Sequence, residues 1–337
     1  MVSFKEIQGS NALINDVTAP RIAIFIGGTS GIGKSTIKAL VATGTSIRIY
    51  LVGRKSSSER TQSFILELNA INPKAEIIWT EAEVSLLSET KRVCELITKK
   101  ESRVDLLFFT TGYAPFGARM ETTEGIEITQ SLEYYSRMLF VFRLLPLLRA
   151  AEAPRVVSVL GGGLERGNFD LEDIDLKRPG NFGPMKTQMQ CITMNTMTME
   201  RLAGENPDVT FVHSWPGWVN TGNVRRGLDP NSMIGWVVWL FLEPLIGLFS
   251  LSGEESGQRH LYQCTSAAFG GRGVRWMGKP GINSLGQQGE QGDGLFLVNY
   301  KCDCTPNLGV LSLLRGKATG KIWNHTQDVL RPYMQEE

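Results

Sequence analysis

The sequence predicts an α/β protein built as a single Rossmann-type domain with a doubly wound parallel sheet. Apolar, β-branched runs alternate with helical patterns from residue 21 onward, and this alternation is typical of parallel strands joined by helices. The strand runs are continuously apolar, which indicates strands that are covered on both faces. A glycine-rich turn follows the first run. A length of 337 residues is sufficient for one large domain with extensions.

Six runs are predicted as strands, namely "RIAIFIGG", "SIRIYLVGR", "AEIIWTEAEV", "VDLLFFTTG", "PRVVSVLGGG" and "DVTFVHSWPG". Helices are predicted near residues 33–44, 57–70, 86–100 and 124–150. The later part of the chain adds the apolar segment "GLFLVNYKC" and helical patterns near 307–316 and 319–334. We therefore divide the chain into an N-terminal extension (1–19), a dinucleotide-binding and catalytic core (20–228), and an apolar lid with a C-terminal extension of the same domain (229–337).

Charge and cysteine usage restrict the partners and the compartment. The 35 lysines and arginines balance 34 aspartates and glutamates, so no nucleic-acid partner is expected. Five irregularly spaced cysteines indicate a reducing compartment and no disulfide framework. The first residues lack the apolar core of a secretory signal, so we expect a cytoplasmic protein. Scattered histidines and a lone Cys302-x-Cys304 pair predict no metal site.

Residues 232–251, "SMIGWVVWLFLEPLIGLFSL", form a very apolar segment. A spanning helix needs about 20 apolar residues, and Glu243-Pro244 breaks this segment into two short halves. A spanning helix is therefore not expected. The alternatives are a lid over an apolar substrate, a subunit contact, or a peripheral membrane contact.

The stretch "RIAIFIGGTSGIGKST" fits two phosphate-binding patterns. Its Gly-Lys-Ser ending satisfies a P-loop, but that site also needs an acid at a neighbouring strand end to hold magnesium. The strand ends "LVGR", "LLFFTTG" and "VVSVLGGG" contain none. We therefore favour a dinucleotide site, in which helix N–H groups bind the pyrophosphate. The predicted contacts are Gly27, Thr29, Ser30, Gly31, Ile32 and Gly33.

The end of the second strand indicates which dinucleotide is bound. An acid there would bind the ribose hydroxyls of NAD, whereas this strand ends in Gly53-Arg54-Lys55. Arg54 and Lys55 stand where a 2′-phosphate would lie, and charge-assisted pairing favours NADP(H). The alternative is an ordinary solvated basic turn.

Several pieces occur together in the order of one known family. They are the glycine turn, "LVGRK", "AEVSLLSE", "FTTGYA", "RVVSVLGGG" and "HSWPGWVNTG", and they cover roughly residues 20–225. The chain thus resembles the short-chain dehydrogenase/reductase family. "EGIEITQSLEYYSRMLFVFRLLPLL" and "NFDLEDIDLKRP" resemble its retinol-dehydrogenase-like branch, and the whole chain is similar to reductase-like proteins of fungal biosynthetic clusters.

The resemblance implies further site residues and a subunit contact. Glu83 and Val84 would flank the adenine, and Thr110, Thr111 and Gly112 replace an Asn-Ala-Gly segment beside the adenine ribose. The nicotinamide end would be held by Pro216, Gly217, Val219 and Thr221. The family often forms dimers through two helices, which here would be residues 124–150 and 186–203, so a homodimer is expected.

The chain departs from the family's Asn-Ser-Tyr-Lys catalytic tetrad. Phe182-x-x-x-Lys186 imitates the Tyr-x-x-x-Lys pair. Counted from Gly161 or from Pro216, however, the tyrosine position falls on Lys186 and the lysine position on Gln190. Gly161 then occupies the serine position and Glu133 the asparagine position. The predicted set is Glu133, Gly161, Lys186 and Gln190.

Three functions are consistent with this set. The first is an NADP(H)-dependent reductase or dehydrogenase of a lipophilic secondary metabolite, in which Lys186, Tyr134, Tyr135 or His213 replaces the family's proton donor. The second is a non-redox cyclase or isomerase, including pericyclic-type chemistry, with Glu133 and Lys186 as an acid–base pair. The third is an inactive cofactor-binding protein.

Structural roles are the alternative for each of these residues. Glu133 and Lys186 could form an ordinary ion pair, the two tyrosines could pack under the fifth strand, and His213 could be a core histidine. The methionine-rich residues 189–203 could form a helix core, a subunit contact or an adaptable apolar pocket.

Overall fold

The predicted parallel sheet is confirmed. A computed structural model of the chain describes residues 2–217, 219, 251–275 and 294–335, and in this part seven strands form one sheet in the order β3-β2-β1-β4-β5-β6-β7. All six pairings are parallel. The strands are β1 (Ile22–Ile26), β2 (Ile47–Gly53), β3 (Ala75–Glu81), β4 (Leu106–Phe109), β5 (Arg155–Val159), β6 (Thr210–Ser214) and β7 (Leu295–Val298).

Helices connect the strands and extend the chain at both ends. They are α1 (Phe4–Asn11), α2 (Gly31–Val41), α3 (Ser58–Ile71), α4 (Leu87–Lys100), α5 (Ile128–Gln130), α6 (Ser136–Arg149), α7 (Pro184–Glu205), α8 (Gly253–Thr265), α9 (Leu308–Lys317) and α10 (Thr319–Met334). A π-helical turn, Ser131–Tyr135, joins α5 to α6. The single helix predicted near 124–150 is therefore divided. Among the helices of the described ranges, none is both long and apolar enough to cross a membrane.

Two apolar layers cover the sheet, which explains why its strand runs are continuously apolar. Successive residues of β1 point to opposite faces, so Ile24 lies in one layer and Phe25 in the other. The first layer includes side chains of α4, α6, α7 and α10. The second includes side chains of α1, α2, α3 and α8. The core is thus built from both faces of one sheet.

The N-terminal extension packs against α8. The Nδ2 of Asn11 donates to the main-chain oxygen of Gln258 at 2.9 Å, and the Arg259 guanidinium lies 5.6 Å from the ring centre of Phe4. The division of the chain at residues 19 and 228 stays a prediction, and the second boundary falls outside the described residues.

The C-terminal helix α10 packs against α4, α6 and α7. Its Trp323 contacts Phe142 of α6 edge-on, with ring centres 5.6 Å apart, and the Arg201 guanidinium of α7 lies 3.9 Å from the Trp323 ring centre. Nη1 of Arg143 donates to the main-chain oxygen of Tyr333 at 2.7 Å. Part of the helix surface expected to form a dimer contact is therefore covered by the same chain.

Candidate active site

A cleft of about 920 Å³, including its open mouth, lies at the carboxyl ends of β1 to β4. Ligands of doubly wound proteins bind at this edge of the sheet. Ten residues predicted for the cofactor line it: Gly27, Thr29, Ser30, Gly31, Ile32, Arg54, Glu83, Val84, Thr111 and Gly112. The structure thus brings most of the predicted dinucleotide site together.

The turn after β1 has the geometry that an anion site requires. Gly27 has a φ of +98°, and an added Cβ would lie 2.7 Å from Oγ1 of Thr110, so only glycine fits. Oγ1 of Thr110 donates to the Gly27 oxygen at 3.0 Å and joins β4 to the turn. Helix α2 begins at Gly31, at the cleft. Its first N–H groups and its dipole favour a phosphate there.

Three residues of the turn have packing roles instead. An added Cβ on Gly33 would lie 2.7 Å from the Gly27 oxygen, so this glycine lets α2 approach the turn. The Nζ atom of Lys34 lies 4.5 Å from the ring centre of Phe64 on α3. Ser35 packs against α8, because a Cβ added to Gly257 of α8 would lie 2.6 Å from the main-chain oxygen of Ser35. The P-loop match is accidental, since neither Lys34 nor Ser35 lines the cleft.

Two cations line the end of the cleft beside β2. Arg54 was predicted, but the second cation is Arg60 on α3. Ser57, which lies between the two arginines in the sequence, also lines the cleft. The Ser57 hydroxyl donates to the Arg54 oxygen at 2.8 Å. Lys55 is exposed and does not line the cleft. A basic residue in the first turn of the helix after β2 is the signal that could have identified Arg60.

The next part of the cleft is formed by the residues that follow β3 and β4. Oε1 of Glu83 accepts a hydrogen bond from the Ser85 hydroxyl at 2.9 Å. The Thr111 hydroxyl donates to the Leu132 oxygen at 3.1 Å and joins the end of β4 to the π-turn. Tyr113, which the sequence did not single out, is half-buried and lines the cleft directly after Gly112.

Glu133 lies in the π-turn with its carboxyl group buried against Gly112. An added Cβ on Gly112 would lie 2.6 Å from Cγ of Glu133, so the missing side chain makes room for the acid. Nε2 of Gln188 donates to both carboxyl oxygens, at 2.9 Å and 2.8 Å. Burial raises the pKa of Glu133 to about 8. The group is therefore largely a neutral acid at pH 7.

Arg137, one turn after Glu133, joins the ends of two strands. Its guanidinium donates to the oxygens of Thr111 (2.5 Å) and Val159 (3.0 Å) and to the Ser158 hydroxyl (2.7 Å). Burial lowers its pKa to about 10. Its charge lies close enough to favour the ionised form of Glu133. A cation inside the apolar pattern "SRMLFVF" was the available sequence signal.

The α7 residues that face the site are Gln188 and Ile192, not Lys186 and Gln190. An added Cβ on Gly161 would lie 2.7 Å from Cγ1 of Ile192, so isoleucine fills the serine position of the family. One turn further on, Nδ2 of Asn195 donates to the main-chain oxygen of Glu133 at 2.8 Å. Gln188 and Ile192 have the spacing of the family's tyrosine and lysine.

Lys186 and Gln190 point to the loop before α7. The Lys186 Nζ contacts the side-chain oxygen of Asn181 and lies 3.5 Å from Oδ2 of Asp170. Nε2 of Gln190 contacts the oxygen of Ile174 at 3.3 Å. Residues two apart on a helix differ by roughly 200° in direction. Lys186 therefore forms neither an acid–base pair nor an ion pair with Glu133, and the residues of α7 that face Glu133 and Gly161 lie two positions after the predicted Lys186 and Gln190.

The other proposed proton donors face the core. The Tyr134 hydroxyl is hydrogen-bonded to the hydroxyls of Thr198 (2.6 Å) and Thr326 (2.5 Å), and the Tyr135 hydroxyl donates to Oδ1 of Asp175 at 2.9 Å. The side chains of Tyr134, Tyr135 and His213 are fully buried and hydrogen-bonded to side chains of other elements, which favours their structural roles.

His213 supports the loop that follows β5. Its Nε2 accepts from the Gly161 amide at 3.2 Å, so Nδ1 carries the proton and donates to the Thr196 hydroxyl at 2.7 Å. Burial lowers its pKa to about 3, which keeps the ring neutral.

Pro216, Gly217 and Val219 follow β6 at the same edge of the sheet but do not line the described cleft. Gly217 has a φ of +66° and packs against Tyr300 of the C-terminal extension, where an added Cβ would lie 2.9 Å from the Tyr300 Cβ. Thr221 and the predicted lid, apart from its last residue Leu251, lie outside the described residues. Within the described ranges, no group of three or more His, Cys, Asp or Glu side chains could hold a metal ion.

The comparison with known proteins identifies the family. The family model described as short chain dehydrogenase matches residues 21–162. Oxidoreductase AN1596 of Emericella nidulans is 38% identical over 98% of both chains. The short-chain dehydrogenase/reductase SAT2 of Stachybotrys chartarum is 30% identical over 90% of both chains. The chain belongs to the short-chain dehydrogenase/reductase family.

The solved structure of YwfH, titled an NADPH-dependent reductase involved in bacilysin biosynthesis, supports the fold. It aligns with a TM-score of 0.54 and 18% identity, covering 73% of this chain and 91% of that chain. This chain is thus an oxidoreductase of the family. Its structure brings Gln188 against Glu133 and Ile192 against Gly161.

Proposed function

We propose that the protein is an NADP(H)-dependent reductase or dehydrogenase that acts on an uncharged, lipophilic carbonyl or enone, such as a secondary-metabolite intermediate. The cleft carries this proposal because its glycine turn, helix N-terminus and arginines fit the pyrophosphate and the 2′-phosphate of one dinucleotide.

Arg54 and Arg60 support the preference for NADP(H). Both line the cleft beside the end of β2, where the ribose 2′ position lies in this fold. No acid among the described lining residues stands beside them at that strand end. A guanidinium binds a phosphate through charge-assisted, often bidentate hydrogen bonds.

Exposed apolar side chains on the loop after β4 and at the start of α7 support a lipophilic substrate. Phe116 and Met120, in the loop after β4, are 47% and 62% exposed, and Met185, at the start of α7, is 72% exposed. Gln188 joins these two segments, since its Nε2 contacts both Glu133 and the Tyr113 oxygen. Lys186, the cation of this helix turn, is paired with Asp170. The arrangement favours an uncharged ligand over an anionic one.

Glu133 is the proton source in this proposal. Bound NADPH would supply the hydride to the electrophilic carbon. The neutral Glu133 carboxyl would then give its proton to the oxygen that gains charge. The carboxylate that remains would be stabilised by the nearby Arg137 and reprotonated before the next turnover. Positioning of the substrate against the cofactor supplies much of the remaining rate.

Cofactor preference is tested by calorimetric titration with NADPH and NADH. Arg54→Ala and Arg60→Ala are each expected to weaken NADPH binding about 10- to 100-fold, since a charged hydrogen bond contributes about 1.5–3 kcal/mol. NADH affinity should change little. Arg331→Ala, an exposed arginine of α10, is the matched control. An equal loss for both cofactors would overturn the 2′-phosphate assignment.

Redox function is tested by following NADPH consumption with apolar ketones and enones. Activity should fall as the pH rises through about 8, where Glu133 ionises, and Glu133→Gln should remove this limb. Tight NADPH binding without hydride transfer to any substrate would contradict the reductase and favour a non-redox rearrangement on the same fold.

A further inference from the structure

Gln188 is the residue through which α7 contacts the acid. It lies in the first turns of α7, and its Nε2 is 2.9 Å and 2.8 Å from the two carboxyl oxygens of Glu133. The same nitrogen is 3.4 Å from the main-chain oxygen of Tyr113. One side-chain amide thus connects α7, the π-turn and the loop after β4.

The chemistry of an amide suits this place. A lysine here would add a charge and hold the Glu133 carboxyl in its ionised form. The amide of Gln188 donates hydrogen bonds without a charge, so it fixes the direction of the carboxyl group while burial still favours the protonated form. Position 188 therefore influences both the orientation of the acid and its protonation.

Other ionisable groups face Glu133 from each neighbouring element. Arg137 of α6 favours the ionised form, whereas Glu127 before α5 opposes it. Tyr113 of the loop after β4 and Cys191 of α7 are also close, and burial raises the pKa of both. None of these four groups donates the paired contacts that Gln188 makes to the carboxyl oxygens.

We propose that Gln188 is a positioning residue, which holds the Glu133 carboxyl against Gly112 and sets the pH range in which it donates a proton. The inference rests on the proposed role of Glu133. It goes beyond that role because it assigns a function to the position that faces the acid from α7.

Two substitutions of Gln188 should act in opposite directions. Gln188→Met keeps the length of the side chain but removes the hydrogen-bond donor that lowers the pKa of Glu133. The alkaline limb of the pH–rate profile should therefore move to higher pH. The kcat should fall at least about tenfold, since a misplaced general acid loses much of its contribution. Gln188→Lys should move the limb to lower pH. The KM for NADPH should stay constant in both variants, because residue 188 does not line the cleft.

The control is Gln8→Met, a change of an exposed glutamine on α1. It should leave the profile unchanged. Circular dichroism and NADPH affinity verify that each variant is folded. A folded Gln188→Met enzyme with the wild-type limb and the wild-type kcat would overturn the proposal.

A second readout does not depend on turnover. The infrared carbonyl stretch of the protonated Glu133 carboxyl, assigned by its loss in Glu133→Gln, can be titrated directly. Its midpoint should rise in Gln188→Met and fall in Gln188→Lys. Failure of hydride transfer with these shifts present would remove the reductase but retain the role of Gln188. Unchanged midpoints would remove that role itself.

Discussion

Restoring the family's serine alone should damage the protein, because Ile192 fills the space that the serine would need. In Gly161→Ser, the new Cβ would lie 2.7 Å from Cγ1 of Ile192 and nearer still to its Cδ1. Carbon atoms in favourable contact lie about 3.5–4.0 Å apart. Ile192 is buried on α7 and has little room to move. Overpacking of this kind costs about 1–3 kcal/mol.

The assay is a double-mutant cycle measured by urea unfolding. Ile192→Ala alone should cost about 2–5 kcal/mol through the cavity that it leaves. In the double variant the new Cβ enters that cavity. The stability loss of the double variant should therefore be about 1–3 kcal/mol smaller than the sum of the two single losses. Gly9→Ser is the control, since its added Cβ would meet no atom within 4 Å.

Additive losses, or a Gly161→Ser variant as stable as the wild type, would refute this reasoning. Additive losses would mean that the cost of the serine does not come from Ile192. A Gly161→Ser variant as stable as the wild type would mean that Ile192 moves aside easily and that the serine position is open. Reductase activity gained by Gly161→Ser alone would lead to the same conclusion.

Three further predictions concern the buried charges and the C-terminal helix. Arg155→Met should lower the free energy of unfolding by about 3 kcal/mol. The buried Arg155 side chain donates to the main-chain oxygens of Gln263, Ser266, Phe269 and Arg272. A loss below about 1 kcal/mol, measured by unfolding in guanidinium chloride, would contradict this. Burial raises the folded pKa of Glu133 to about 8, above its unfolded value, so its stabilising contribution is lost as the pH rises to that value. Glu133→Gln should therefore gain stability relative to the wild type between pH 5 and pH 9 in urea titrations, and a difference independent of pH would exclude the shift. Because α10 covers part of α6 and α7, light scattering should show a monomer at micromolar concentration, and a dimer cross-linked between two copies of α6 would show that this surface is free.

The sheet and the dinucleotide cleft could be predicted from the sequence because local constraints specify them. A strand covered on both faces must be apolar at every position, and β1 with Ile24 and Phe25 in opposite layers follows this rule. The glycine turn is equally local, because the φ of Gly27 and the close approach of Thr110 exclude any other residue. Spacing within such segments is short, so most predicted positions lie at the cleft, although Gly33 packs α2 against the turn and Lys55 points away.

The residues around Glu133 could not be assigned in the same way, because they come from segments that are distant in the chain. The segments that join α7 to Gly161 and to Pro216 have no fixed length, so counting from either residue placed Lys186 where Gln188 stands. A shift of two residues on a helix turns a side chain to the opposite face. The covering of α6 and α7 by α10 likewise depends on how separate helices pack. Local chemistry therefore determined the strands and the phosphate turn, whereas the neighbours of the buried acid were set by long-range packing, which no local pattern encodes.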